Sequence, residues 1–504
     1  MDIDLTAQDI LQALQSGNLT SEELVLGYLA QINKTNHYLR AVLQVSPTLV
    51  HDAKERDRER QEGSVRGPLH GLPILVKASF ATEPYFGMDT ISGNYSLSGS
   101  RPRKNAEAVQ RLLDAGAILL GKGSLSELAY WKIGNIPAGW SPVGGQGQSS
   151  YVKGGRQPGD PIFSINGPGG SSSGPSIAVA AGYAPIALGE ETSGSLIFPA
   201  DRAALYTLKV THTIIGQRGM VPVSLRFDTA GPLAKSSRDV ALFLDILVDA
   251  SKTQVPPEGY ISCAKGASAW KKLRVGVLDP ESWLYTDAMV GYANGTKQQI
   301  IREISAAYEK VGTQAKMLSP VTIESTPNAT ALGAAINPLM LKLYEHDYRR
   351  DFDAYLEGVD NSKIKSLKDI LTPDDKYGAL RTPDGQFGLE ELERAIFDPT
   401  DDEEALAADA MMREAGRANG IDKALQENDV DVLLGPGSGT LYSLSAAAGY
   451  PIATLPLSYM DINGAPFGLV ALASAHQESL LVSVQSAWEA TFLARKVPST
   501  IAVS

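Results

Sequence analysis

Two serines carry the strongest chemical signal in this chain. Ser171 lies in the run Gly169-Gly170-Ser171-Ser172-Ser173-Gly174, and Ser195 closes the run Gly189-Glu190-Glu191-Thr192-Ser193-Gly194-Ser195. A serine hydroxyl is a weak nucleophile until a base removes its proton. The six histidines, His37, His51, His70, His212, His346 and His476, are scattered, and the nearest two in sequence carry no triad signature. The GxSxG elbow is absent around Ser195. A Ser-Lys arrangement suits a chain so poor in histidine. It requires a neutral lysine, because an ammonium cannot accept a proton. A free lysine titrates near about 10.4, and burial can lower that by several units. Lys77 ends the apolar run Leu72-Pro73-Ile74-Leu75-Val76, whereas most other lysines stand in charged, helix-like contexts.

These residues need a scaffold that brings distant segments together. The run ending at Lys77 is short and bounded by Gly71, which predicts a buried strand. A helix over about 107–115, stopped by Gly116, leads to a second strand at Ala117–Leu120. Thr6 with Asp9 and Thr20 with Glu23 read as helix-opening boxes. Small residues fill Ser176–Leu188, so one helix could carry the two serine loops to the same end of a sheet. Strands are expected at 273–278, 430–434 and 451–457, and a helix at about 300–311 ended by Gly312. Residues 134–174 read as one long loop, a length uncommon in a compact domain unless it is functional. The dense charge at 345–350 and 401–404 reads as solvated helix faces. Helix-strand alternation of this kind predicts an α/β fold.

Composition narrows the classes. The 504 residues are 43% hydrophobic and 20% charged, ordinary values for a chain with a large core. The net charge is −12 with no basic block, which argues against nucleic acid and anionic membrane surfaces. Cys263 is the single cysteine, which excludes an intramolecular disulfide and a thiolate cluster, and no HxxxH or HxxH pair occurs, so the zinc-hydrolase motif is absent. No cofactor or metal is expected. The two uncharged stretches, 161–189 and 433–460, are rich in Gly, Pro and Ser and do not read as membrane spans. A cytoplasmic protein, monomeric or homodimeric, is the expectation.

The segments together resemble the amidase signature hydrolases, and the resemblance covers almost the whole chain. Gly67–Lys77 is similar to that family's catalytic-lysine strand, and Gly121-Lys122-Gly123-Ser124-Leu125-Ser126-Glu127-Leu128-Ala129 to its next shared block. Gly170–Gly174 and Gly189–Pro199 resemble the serine-rich signature, and Asp228–Ala234 and Ala448–Ala453 the later blocks. Trp140 and Gly144-Gly145-Gln146 look most like the peptide-amidase and fungal branch. The subunit that feeds ammonia to a transamidating complex usually carries Arg where this chain has Ile197.

The resemblance implies one large domain, a mixed central sheet covered by helices on both faces. Residues 1–60 would form helices packed on it, and 280–425 a variable, mostly helical pocket region. It implies Ser195 as nucleophile, Ser171 as a bridging serine in a cis peptide linkage, and Lys77 as base. Backbone N–H groups of Thr192, Ser193, Gly194 and Ser195 would form an oxyanion hole, with Ser172 and Gly170 in support. Gly145 and Gln146 would meet a small amide or peptide-like substrate. The implied activity is hydrolysis of a carboxylic amide through an acyl-enzyme.

Four positions depart from that pattern. Ala78 follows the lysine where Asp is usual, Ser193 and Ile197 replace the usual residues beside the nucleophile, and 153–168 is longer than usual. Losing Asp at 78 removes an anionic neighbour of Lys77, which favours neutral lysine. Two alternatives stay open from sequence. The same acyl-enzyme could be captured by an amine or carbon nucleophile, giving ligation or ring closure, or the fold could serve as a catalytically degenerate binding protein.

Overall fold

A computed structural model describes residues 3–132, 136–293, 295–371, 388–397, 400–492 and 495–498. Parts of the expected 134–174 loop and 280–425 region (134–135, 294, 372–387 and 398–399) lie outside the described residues, as do both ends of the chain.

Eleven strands form one sheet: β1 (Val42–Val45), β2 (Pro73–Lys77), β3 (Ile118–Gly123), β4 (Ile186–Glu191), β5 (Tyr206–Lys209), β6 (Thr229–Ala234), β7 (Arg274–Val277), β8 (Met317–Pro320), β9 (Val432–Pro436), β10 (Ile452–Tyr459) and β11 (Pro466–Leu472). Their order is β1-β3-β2-β4-β6-β5-β10-β11-β9-β7-β8. The sheet is mixed. β2 runs parallel to both β3 and β4, and β7 runs parallel to β8 and β9, while β4 meets β6 antiparallel.

Period-two alternation divides the core between the two faces. Val432, Leu434, Ala453, Leu469 and Ala471 join one apolar cluster, and Leu433, Ile452, Val470 and Leu472 join the other. Helices Ala7–Gln15, Ser21–Leu39, Ser173–Ala180, Ser237–Leu247 and Glu478–Thr491 supply the first cluster. Ala329–Leu356, Asp402–Gly416 and Leu441–Ala448 supply the second. The expected α/β architecture, a mixed sheet with helices on both faces, is thus the one observed. Among the described residues no helix is long and apolar enough to cross a membrane.

Local chemistry explains the helix ends. Both N-terminal boxes form: the Thr6 hydroxyl accepts from the Asp9 N–H and the Asp9 carboxylate from the Thr6 N–H, and Thr20 and Glu23 repeat the exchange. Gly312 lies inside the last turn of Thr296–Gly312 rather than beyond it.

Two expectations need correction. The 345–350 run is not simply a solvated face. Asp347 is fully buried and holds Ser224 at 2.6 Å and Arg226 at 3.0 Å, tying the long helix to the loop that precedes Asp228. A lone buried carboxylate would be costly, and these donors offset that cost. The 401–404 run is exposed, and Asp401 caps the helix that follows. The 134–174 segment is not structureless either. Trp140–Ser141 pairs with Gly145–Gln146, and the backbone of Phe163 and Ile165 bonds to Met289 and Val290.

Candidate active site

The site forms where parallel strands end. Lys77 is the last residue of β2 and Glu191 the last of its parallel neighbour β4, so both reach the same edge of the sheet. Carboxyl ends of parallel strands are where α/β folds place ligands. Helix Ser173–Ala180 returns the chain to β4, setting the Ser171 loop against the Ser195 loop.

Lys77 is fully buried, and its Nζ bonds the Ser171 Oγ at 2.7 Å. The Gly170–Ser171 peptide is cis. The Ser172 N–H donates to the Ser195 carbonyl at 3.2 Å, locking the two loops together. Ser172 Oγ also donates to the Glu190 carbonyl at 2.8 Å and accepts from the Glu190 N–H at 3.2 Å. Ser172 therefore fixes both ends of the turn that presents Ser195. Ser195 itself is 6% exposed, a small opening at the edge of an otherwise buried cluster.

Small residues permit this approach. Gly194 sits at φ +89°, and a Cβ there would lie 2.8 Å from the Tyr442 ring. A Cβ on Gly170 would lie 2.6 Å from Ser126 Oγ. Larger residues at either place would displace a serine loop.

Acidic groups support the turn from beneath. Thr192 Oγ1 donates to Asp228 at 2.6 Å, and Asp228 also accepts from the N–H groups of Val223 and Ser224. Burial pushes Asp228 up to about 8. Glu191 accepts from the N–H groups of Leu196 and Ile197 at 2.8 and 3.0 Å, satisfying the first donors of helix Ile197–Asp201. Ser193 Oγ reaches Ser443 Oγ at 3.4 Å.

One contact was not foreseen. Glu190 Oε1 lies 3.0 Å from Lys77 Nζ, with both side chains buried. The loss of Asp at position 78 therefore does not leave Lys77 without an anionic neighbour, because Glu190 supplies one from the next strand. Burial lowers the lysine from its ordinary range, and Glu190 opposes that shift. The readable signal was the pair Glu190-Glu191 inside the otherwise apolar strand 186–191. Adjacent strand residues point to opposite faces, so two successive buried carboxylates must each find its own partner.

Gly145 and Gln146 form a short strand paired with Trp140–Ser141. The Gln146 amide nitrogen donates to the carbonyls of Ala138 and Gly147 at 2.8 and 2.9 Å, and Gly145 packs on Arg40. The rings nearest the serine loops come from elsewhere. Tyr442 covers Gly194, its hydroxyl meets that of Tyr285, and Phe163 stacks on Tyr285 at 5.7 Å and meets Tyr130 edge-on at 6.2 Å. Tyr442 lies outside the segments 130–168 and 280–425 expected to line a pocket, whereas Tyr130, Phe163 and Tyr285 lie within them. Among the described residues no group of three or more His, Cys, Asp or Glu side chains is arranged to hold a metal ion.

Comparison with known proteins places this geometry. The model of the family described as Amidase matches residues 23–447. A relative from Arabidopsis thaliana named as an amidase is 32% identical over 509 residues, covering 99% of this chain and 92% of its own. Another from Schizosaccharomyces pombe is 32% identical over 514 residues, covering 96% and 85%. The crystal structure of native peptide amidase from Stenotrophomonas maltophilia superposes with a TM-score of 0.83 at 30% identity, over 98% of each chain. The chain belongs to the Amidase family and is an amidase, a hydrolase of amide bonds.

Proposed function

We propose that this amidase cleaves the C–N bond of a small amide or modified peptide through an acyl-enzyme on Ser195. The carrying observation is the buried Lys77–Ser171 contact at 2.7 Å beside a Ser195 loop fixed by Ser172. Neutral Lys77 takes the proton of Ser171 as Ser171 takes that of Ser195. The Ser195 alkoxide attacks the amide carbonyl. The proton then returns through Ser171 to the leaving nitrogen, and water releases the acyl group by the same route. Backbone N–H groups of Thr192, Ser193, Gly194 and Ser195 receive the developing oxyanion, where one such donor is typically worth about 3–4 kcal/mol. Asp228 and Glu191 hold that turn in shape.

The peptide amidase likeness supports a peptide-like substrate. Tyr130, Phe163, Tyr285 and Tyr442 form the wall that an acyl group would meet, with residues of 280–425 contributing one side. Gly145 and Gln146 would meet the substrate, with the Gln146 amide nitrogen held by the Ala138 and Gly147 carbonyls.

Turnover of a panel of small amides and C-terminally amidated peptides tests this reading. Ser195→Ala is expected to lose about 10⁴-fold or more in kcat. Unchanged turnover in that variant would overturn it. Product analysis in the presence of added amines separates hydrolysis from acyl transfer: free acid as the sole product supports hydrolysis, and an amine adduct as the main product opposes it.

A further inference from the structure

We propose that Glu190 is a positioning residue that holds the ammonium form of Lys77 and so sets the pH at which the amine becomes available as a base. The inference rests on the Ser195–Ser171–Lys77 reading and concerns a group which that relay does not itself use.

The argument begins with geometry. Lys77 Nζ has two near polar partners, Ser171 Oγ at 2.7 Å and Glu190 Oε1 at 3.0 Å. Glu190 is 5% exposed, and its second oxygen, Oε2, is buried without a hydrogen-bond partner. Its backbone N–H and carbonyl are both bonded to Ser172 Oγ, which fixes the base of the side chain relative to the serine loop. An opposite charge this close favours the protonated amine, while burial favours the neutral one.

The other charged and titratable groups around the pair modulate it but do not replace it. Asp228, before β6, and Glu191 of β4 are the further carboxyl groups that act on Lys77, and both are occupied by donors of their own. Tyr355, from helix Ala329–Leu356, is the buried phenol that senses Glu190. Lys122, on the adjacent strand, turns its amine to the Phe80 carbonyl and Thr90 instead.

The proton balance is simple. On the acid side Lys77 is an ammonium and has no lone pair to offer Ser171. As pH rises, the ammonium proton leaves to solvent. The amine can then take the Ser195 proton through Ser171 and return it to the leaving nitrogen in each cycle. The nearby carboxylate stabilises the ammonium formed in that step, so removing it exchanges base strength for availability at lower pH.

The test is the pH dependence of Ser195 labelling by a fluorophosphonate, read by mass spectrometry on the full-length protein, which requires no knowledge of the natural substrate. In Glu190→Gln, an isosteric change, the midpoint of the acid limb is expected to move down by about 1–3 pH units. The rate on the alkaline plateau should fall. Glu190→Thr, which removes the carboxylate and its reach, should move the midpoint in the same direction, and thermal melting confirms that both variants are folded. A uniform loss of rate with an unmoved midpoint in both variants would show a merely structural role and overturn the inference. Failure of the native protein to label at Ser195 at any pH would overturn the relay itself, and this inference with it.

Discussion

Lys77 and Lys122 lie on neighbouring parallel strands, one register step apart, and both are fully buried. Their surroundings differ. Lys77 faces a serine hydroxyl and a carboxylate. Lys122 faces the Phe80 carbonyl and the Thr90 hydroxyl, the latter at 3.1 Å, and burial alone lowers it to about 7. A third lysine, Lys209 on β5, is also buried, donates to the Tyr450 carbonyl at 2.7 Å, and is lowered to about 8, with burial the main cause. Burial of an amine, even beside a hydroxyl, therefore does not single out a base. What sets Lys77 apart is that its hydroxyl neighbour belongs to a loop bonded to a second, partly exposed serine.

Breaking each lysine in turn tests that contrast. The largest effect is expected for Lys77→Met, which should lower kcat/KM for any amide turned over by about 10²–10⁴-fold, the range usual for loss of a general base. That change also strands the Glu190 carboxylate, and orphaning one partner of a buried pair costs about 3–5 kcal/mol. The double variant Lys77→Met/Glu190→Gln should recover much of that stability in denaturant unfolding without recovering activity.

Lys122→Met should leave kcat/KM within about threefold while lowering stability by about 1–3 kcal/mol, since it removes the amine donor to the buried Phe80 carbonyl and Thr90 hydroxyl and leaves the carbonyl only the longer Thr90 bond at 3.4 Å. The pH dependence of that loss has a definite sign. Lys122 titrates lower folded than unfolded, so the folded chain binds fewer protons between pH 7 and pH 10. The stability contributed by the neutral amine is full above the ordinary lysine range and declines as pH falls towards 7. The melting-temperature gap between native and Lys122→Met protein should thus be wider at pH 9.5 than at pH 7. Lys209→Met, which frees one backbone acceptor, should give the smallest effect, about 1 kcal/mol, with unchanged labelling of Ser195.

Much of this was legible in the chain. The apolar run into Lys77, the two small-residue loops 24 positions apart and the helix-strand alternation each follow from local composition, which is why the sheet and the helix between the serines could be expected; the Lys77–Ser171 contact was implied by the family resemblance. The rest depended on pairing between distant strands. Glu190 reaches Lys77 only because β2 and β4 are neighbours, a relation no local pattern encodes. Asp347 looked like one charge in a solvated run because its partners, Ser224 and Arg226, lie more than 120 positions away. Tyr442 stands against Gly194 for the same reason. Gln146 was placed with the substrate by resemblance alone, and the hydrogen bonds of its amide nitrogen to the Ala138 and Gly147 carbonyls were not readable from the sequence.

The most direct measurement compares the rates at which a fluorophosphonate modifies native, Lys77→Met and Lys122→Met proteins under one condition, with the modified residue identified by peptide mass spectrometry. The expected result is modification of Ser195 at equal rates in the native and Lys122→Met proteins, and at least about 100-fold slower in Lys77→Met. Equal rates in all three, or modification at a residue other than Ser195, would contradict the assignment of Lys77 as the base of this site.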